Sequence, residues 1–234
     1  MSRTLRILGD FDPEKETHLA TNEAIEHTLK SLGIDLDYQW LGTEHITTRD
    51  IESAAGIWVS TGSQYRSVAK VLDAIRQARE SRIPCLGTCS GFQHIMIEYA
   101  QNVLGIESAG HAEYDSNALP FISQMVCSLR GHSMQINLRE GSLAHRLYDA
   151  PNTTEKYYCS FGINPEYRNA VDGGAIIASG VDQDGEIRLV EYPEHPFMLA
   201  TLFVPQVASS EERPHPIVTG FLKTVLKRRD VGRN

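Results

Sequence analysis

Ile83-Pro84-Cys85-Leu86-Gly87-Thr88-Cys89-Ser90-Gly91-Phe92-Gln93 decides how this chain folds. Ile83 to Leu86 reads as a short buried strand, Gly87 to Gly91 as a tight turn, and Phe92-Gln93 as the opening of an amphipathic helix. A strand that breaks this sharply into a helix needs small residues on both sides of the bend, and Gly87 and Gly91 supply them. The residue at the apex, Cys89, is then held outward among the backbone N–H groups of the helix start. The positive end of the helix dipole favours thiolate there. Cys89 is the candidate nucleophile.

Working outward, the flanking sequence alternates strands and helices. Leu5 to Gly9 is a first strand, followed by a helix from Glu14 to Leu32 that Gly33 stops. Ile34, Leu36, Tyr38 and Trp40 alternate as a second strand, and Ile57-Trp58-Val59 is a third, running into Ser60-Thr61-Gly62-Ser63. A helix carrying Val68, Val71, Leu72 and Ile75 delivers the chain to the Cys89 turn. Phe92, Ile95, Met96, Tyr99 and Val103 are the core stripe of the helix beyond it. Ser108 to Met125 reads as irregular. Met134, Ile136 and Leu138 alternate as a strand, and Ala175–Ala178 and Ile187–Val190 flank Asp182-Gln183-Asp184-Gly185 as an antiparallel hairpin. Met198 to Val204 is a central apolar strand, and Pro214-His215-Pro216 opens a last helix with Phe221, Leu222 and Val225 inward. The expected fold is α/β: a flavodoxin-like open, mostly parallel sheet with helices on both faces and an added antiparallel hairpin, as one domain over 1–234. In such sheets ligands bind at the carboxyl ends of the strands, so the loops after Val59, at Cys89 and after Val204 should converge.

Composition sets the outer limits. The 234 residues are 41% hydrophobic and 22% charged, with a formal net charge of −8, which argues against nucleic acid or a membrane surface as a partner. The basic run Lys227-Arg228-Arg229 sits at the end of the last helix, where cations complement the dipole. No apolar run approaches the ~18 residues that a membrane span needs. The four cysteines, Cys85, Cys89, Cys127 and Cys159, have neither zinc-type nor disulfide-scaffold spacing, which implies free thiols in a reducing cytoplasm. No His/Asp/Glu cluster has metal-ligand spacing, and no cofactor is implied.

From Ile83 to Leu104 the chain resembles the glutaminase domain of CTP synthase, a class I glutamine amidotransferase, whose elbow reads I-P-Y-L-G-I-C-L-G-M-Q. The likeness continues through Ile97-Glu98-Tyr99-Ala100-Gln101-Asn102-Val103-Leu104-Gly105, Ala112-Glu113-Tyr114, Glu140-Gly141-Ser142-Leu143-Ala144, Glu194-His195-Pro196-Phe197 and Arg213-Pro214-His215-Pro216. The resemblance implies that Cys89 is the thiol that attacks a side-chain amide, and that Gln93 and Glu113 hold the ligand backbone and its ammonium. The family's glycine-rich oxyanion loop falls on Ser60-Thr61-Gly62-Ser63-Gln64, keeping only Gly62, and Ser63 and Ser90 join Gly62 as expected substrate-binding residues. The family's F-H-P-E motif, which supplies the catalytic His and Glu, reads Phe203-Val204-Pro205-Gln206, so the base is replaced by Val204 and its carboxylate partner by Gln206. The family Arg for the glutamine α-carboxylate falls on Ser160. The synthase half of CTP synthase has no counterpart in this sequence.

Three readings follow. The first expected is a Cys89-dependent enzyme for an amine-bearing small molecule other than glutamine, with Glu113 as anchor, and with His111 as base or Cys159 as a second thiol. The others are ordinary glutamine hydrolysis feeding a separate synthase partner, and a non-catalytic ligand-binding or regulatory homologue. Arg66 or Arg130 would replace the missing carboxylate partner. His94 reads as a satisfied buried histidine, Glu98 as a packing or surface residue, and Cys85 as core. His195 and His215 are assigned no chemistry, and Cys127 no role.

Overall fold

The computed structural model describes residues 4–62 and 64–231, so candidate Ser63 lies outside the described residues. In chain order the elements are β1 (Leu5–Leu8), α1 (Glu16–Leu32), β2 (Tyr38–Leu41), α2 (Thr48–Glu52), β3 (Gly56–Val59), α3 (Val68–Glu80), β4 (Cys85–Thr88) and α4 (Ser90–Asn102). There follow β5 (Ala109–His111), β6 (Leu119–Gln124), β7 (Ser133–Leu138), α5 (Leu143–Tyr148), β8 (Asn152–Lys156), β9 (Phe161–Ile163) and α6 (Arg168–Val171). The chain ends in β10 (Ile177–Val181), β11 (Ile187–Glu191), β12 (Met198–Thr201) and α7 (Pro216–Val231).

Nine strands form one sheet in the order β2-β1-β3-β4-β12-β11-β10-β7-β8. The first five are parallel to one another, an order that matches the flavodoxin-like doubly wound pattern, and the hairpin β10–β11 is antiparallel as expected. Beyond that hairpin the antiparallel half grows through β7 and β8. Strand alternation sorts the helices onto the two faces. Gly56 and Trp58 of β3 point toward α7: a Cβ on Gly56 would meet Val225, and Trp58 packs edge-on to Phe221 at 6.0 Å. Val59 points the other way, against Gly91 of α4. A second sheet, β5-β6-β9, stands beside α4.

The described residues amend several expectations. β4 runs Cys85–Thr88, two residues further along than the apolar pattern suggested, and carries the strand up to Cys89 itself. The run from Met198 is strand only to Thr201, because the Thr201 hydroxyl turns back to the Phe203 carbonyl and Pro205 has no N–H for a ladder. Ile34 is exposed rather than in a strand: α1 closes through Gly33 at φ 64, and the Ile34 N–H bonds the Leu29 carbonyl. Val103, expected in the core, lies just past the end of α4 and is exposed. The stretch read as irregular contains β5 and β6.

Glu98 is fully buried on α4 and receives Arg79 of α3, whose Nε lies 3.1 Å from both carboxylate oxygens and Nη2 2.7 Å from one. It fastens the two helices. His215 packs into another buried polar cluster, 3.2 Å from the Glu155 carboxylate, which also accepts the Tyr148 hydroxyl at 2.6 Å. No helix among the described residues is long and apolar enough to cross a membrane.

Candidate functional site

Cys89 occupies the single residue between β4 and α4, at φ 53 and ψ −105. A non-glycine residue pays for this region in backbone strain, and such strain persists only where the surroundings over-determine it. Here they do. A Cβ on Gly91 would lie 2.1 Å from the Val59 carbonyl oxygen, and one on Gly87 would lie 2.5 Å from Ile95 Cδ1 and 2.9 Å from the Gly91 backbone. The Cys89 N–H is tied to the Thr201 carbonyl at 2.8 Å, and its own carbonyl accepts the Gln93 N–H at 3.2 Å. The elbow is clamped by β3, β12 and its own helix.

The thiol opens onto a cavity of about 500 Å³. The structure brings Gly62, Cys89, Ser90, Gln93, Glu113, Cys159 and Ser160 together on its wall. Val204 and Gln206 are not on that wall. Both are buried; the Val204 N–H bonds the Lys156 carbonyl at 2.9 Å, and Gln206 Nε2 donates to the hydroxyls of Thr21 (3.1 Å) and Thr88 (3.4 Å). Arg130 lines the cavity, whereas Arg66 does not and pairs with Glu44 at 3.9 Å. Sequence reasoning missed Lys15, Glu16 and Thr17, which reach the cavity from the start of α1, and Tyr158 and Phe161, which flank Cys159 and Ser160. The loop carrying them has no periodicity to mark it. Among the described residues no group of three His, Cys, Asp or Glu side chains is placed to hold a metal ion.

Two thiols dominate the electrostatics. A hydrogen bond from Cys159 is the largest influence on the Cys89 thiol and, with the Ser90 backbone N–H and the positive charge of Arg130, holds it below the usual thiol range against burial and Glu113. Cys159 is pushed well above that range, first by its hydrogen bond to Cys89 and then by burial. The Cys159 S–H has a second acceptor in the Leu202 carbonyl at 3.5 Å, but a thiolate is the stronger one. Cys85, sealed in β4, is pushed up to about 12 by burial. A Cys159→Ala substitution deletes the donor, so the pH midpoint for alkylation of Cys89 should move up. Rates of iodoacetamide labelling across pH, in a Cys127→Ser background, measure this; an unmoved midpoint would show that Cys159 gives nothing to the thiolate.

The structure does not bring His111 to the cavity wall. Its ring is stacked on Tyr114 with centroids 4.6 Å apart and buried. Nδ1 accepts the Glu113 backbone N–H at 3.2 Å, which places the proton on Nε2, and Nε2 donates to Gln93 Oε1 at 3.2 Å. Gln93 Nε2 in turn donates to the Phe161 carbonyl at 3.0 Å. Burial, with the neighbouring His94, pushes His111 down to about 3, so it stays neutral. His94 is likewise sealed: Nδ1 donates to the Ser90 carbonyl at 2.8 Å, Nε2 accepts the Tyr114 hydroxyl at 2.5 Å, and burial lowers its pKa to about 4.

Comparison with known proteins places this geometry. Residues 16–224 match the family model of class I glutamine amidotransferases. CTP synthase of Halobacterium salinarum is 34% identical over 240 residues, covering 97% of this chain and 43% of the relative. CTP synthase of Archaeoglobus fulgidus is 30% identical over 242 residues, covering 97% and 45%. The chain thus spans less than half the length of these curated relatives. The solved glutaminase domain of Trypanosoma brucei CTP synthase, with bound acivicin, superposes with a TM-score of 0.88 at 21% identity, covering 97% of this chain and 94% of that one. A glutamine amidotransferase from Thermotoga maritima superposes at 0.62 with 11% identity, covering 98% of each chain. The chain belongs to the class I glutamine amidotransferase family, and its counterpart in the curated relatives is the glutaminase region of CTP synthase.

Proposed function

We propose that this protein is a cysteine-dependent amidohydrolase of the cytoplasm, acting through Cys89 on a small amine-bearing molecule other than glutamine. The observation that carries the reading is the Cys89–Cys159 pair on the wall of a cavity that also holds Glu113. Val204 and Gln206 stand where the family has its His and Glu, and neither side chain moves a proton. A thiol held below its ordinary range lessens the need for a separate base in the attack, and Cys159 takes over the proton work. The Cys89 thiolate attacks the carbonyl carbon of the amide, and the oxygen that becomes negative lies toward the Ser90 N–H. The C–N bond breaks as the leaving nitrogen takes the Cys159 proton. Water then cleaves the thioester, returning a proton to Cys159 and freeing Cys89.

Glu113 supplies the charge for an ammonium group on the ligand. Ser160, at the position of the family's carboxylate-binding Arg, is occupied by a 2.7 Å hydrogen bond to the Ser128 hydroxyl. Arg130 presents a cation at another point of the cavity, which favours a ligand whose anionic group, if present, is placed differently from that of glutamine. The test is ammonia or amine release from a panel of amine-bearing amides, glutamine included, by the wild type and Cys89→Ala. Turnover of a non-glutamine amide that falls at least ~100-fold in the variant is expected. Absence of Cys89-dependent release from every amide sinks the proposal. Release from glutamine alone would favour ammonia supply to a separate synthase, which the likeness to the CTP synthase glutaminase domain supports.

A further inference from the structure

Four cysteines are present, and two of them, Cys89 and Cys159, line the cavity described above. Cys85 is closed inside β4, and Cys127 is exposed. Cys89 and Cys159 are tied to adjacent residues at the end of β12, on backbones that are separately fixed. The Cys89 N–H bonds the Thr201 carbonyl at 2.8 Å, and the Cys159 thiol bonds the Leu202 carbonyl at 3.5 Å. Cys89 is held at the elbow, and the Cys159 carbonyl accepts the Leu129 N–H at 3.1 Å. We propose that Cys89 and Cys159 are a redox pair that closes into an intramolecular disulfide by exchange with a small-molecule disulfide entering the cavity. The pair thereby switches off the Cys89 chemistry proposed above.

The exchange balances in two steps. The Cys89 thiolate attacks one sulfur of the entering disulfide, the old S–S bond breaks, and one small thiolate leaves. Cys159 then loses its proton and attacks the Cys89 sulfur of the mixed disulfide; the second small thiolate leaves and takes that proton. Two protein thiols are oxidised by two electrons, and the small disulfide is reduced to two thiols. The thiols divide these roles by environment. Cys89, favoured as thiolate, is the attacking group, while Cys159 is held protonated chiefly by Cys89 itself. Once Cys89 is capped, that restraint is gone, and the positive charge of Arg188 still favours the Cys159 thiolate. The first step therefore triggers the second. In a reducing compartment such a disulfide is transient, as a switch requires.

Fully reduced protein is incubated with oxidised glutathione, quenched with acid, and read by intact mass and by mapping of cross-linked peptides. The expected product lacks two hydrogens, retains no glutathione, links Cys89 to Cys159, and reverts with dithiothreitol. Cys127→Ser should behave the same. Cys159→Ser should stop at one glutathione on Cys89, with release of the second equivalent slowed at least ~100-fold because the resolving thiol is absent. Circular dichroism checks that this variant folds, and Cys159→Ala serves as a second variant. A stable glutathione adduct on Cys89 in the wild type, a cross-link through Cys85 or Cys127, or unreacted thiols would each overturn the proposal. These readouts use no amide, so a failed switch is distinct from a failed amidohydrolase.

Discussion

Gly91→Ala is expected to destabilise the fold by at least about 3 kcal/mol, a drop in Tm on the order of 10 °C for a chain of this size. On an ordinary helix the change would help, since alanine outranks glycine as a helix former by about 1 kcal/mol. Here the new methyl would sit 2.1 Å from the Val59 carbonyl oxygen and 2.9 Å from its carbon, both backbone atoms of a central strand. Neither can rotate away, so α4 must lift from β3, and the strained Cys89 backbone would lose its clamp. Gly220→Ala is the control. Its methyl would meet Leu147 Cδ2 at 2.4 Å, the end of a side chain that can change rotamer. Thermal melts of the two variants, paired with Cys89 alkylation rates, should separate them. Equal losses at the two glycines would refute the backbone clash as the reason for Gly91.

The second large effect is in acid. His94 titrates at about 4 in the folded chain against an ordinary value of 6.5, because burial disfavours its charged form. The unfolded chain therefore binds more protons throughout that window. The stability contribution of neutral His94 is complete above pH 6.5 and lost as pH falls to about 4, a decline of roughly 3 kcal/mol. His111, lowered further by burial and by His94, acts with the same sign. Urea unfolding midpoints measured across this range should fall steadily toward acid, and His94→Gln should flatten the decline. A variant with an unchanged acid limb would assign the loss to other groups.

The parts of the fold that were legible in the sequence are those where local chemistry and the tertiary structure agree. The β4–Cys89–α4 elbow announces itself because only glycines fit where the helix start touches β3 and crosses β4. The hairpin announces itself through Asp182-Gln183-Asp184-Gly185. The stretch from Ser108 to Met125 did not, because β5 has three residues and pairs with β6 across a register shift between Gly110 and His111, too short and irregular to leave an alternating pattern. Val103 misled for the opposite reason: it continues the apolar spacing of α4 one residue beyond the helix. In the site, a strand–turn–helix pattern exposes Cys89, whereas Cys159 could be offered from the sequence only as a second thiol beside His111, and its place on the same cavity wall comes from the fold. Arg130 and the start of α1 enter the cavity from loops and helix ends that carry no periodic signal.

The chain of hydrogen bonds from Glu113 through His111 to Gln93 has a direction, and that direction reaches the cavity wall. A backbone N–H begins it, and a backbone N–H cannot become an acceptor. His111 is thereby confined to one tautomer, and the Gln93 amide to one of its two flips. A free glutamine side chain can turn to offer oxygen or nitrogen as a partner requires. Gln93 has lost that ambivalence: its oxygen is turned to His111 and one N–H to Phe161, leaving one N–H to give. The orientation of the Gln93 amide on the cavity wall is thus a choice made away from it, in the peptide backbone.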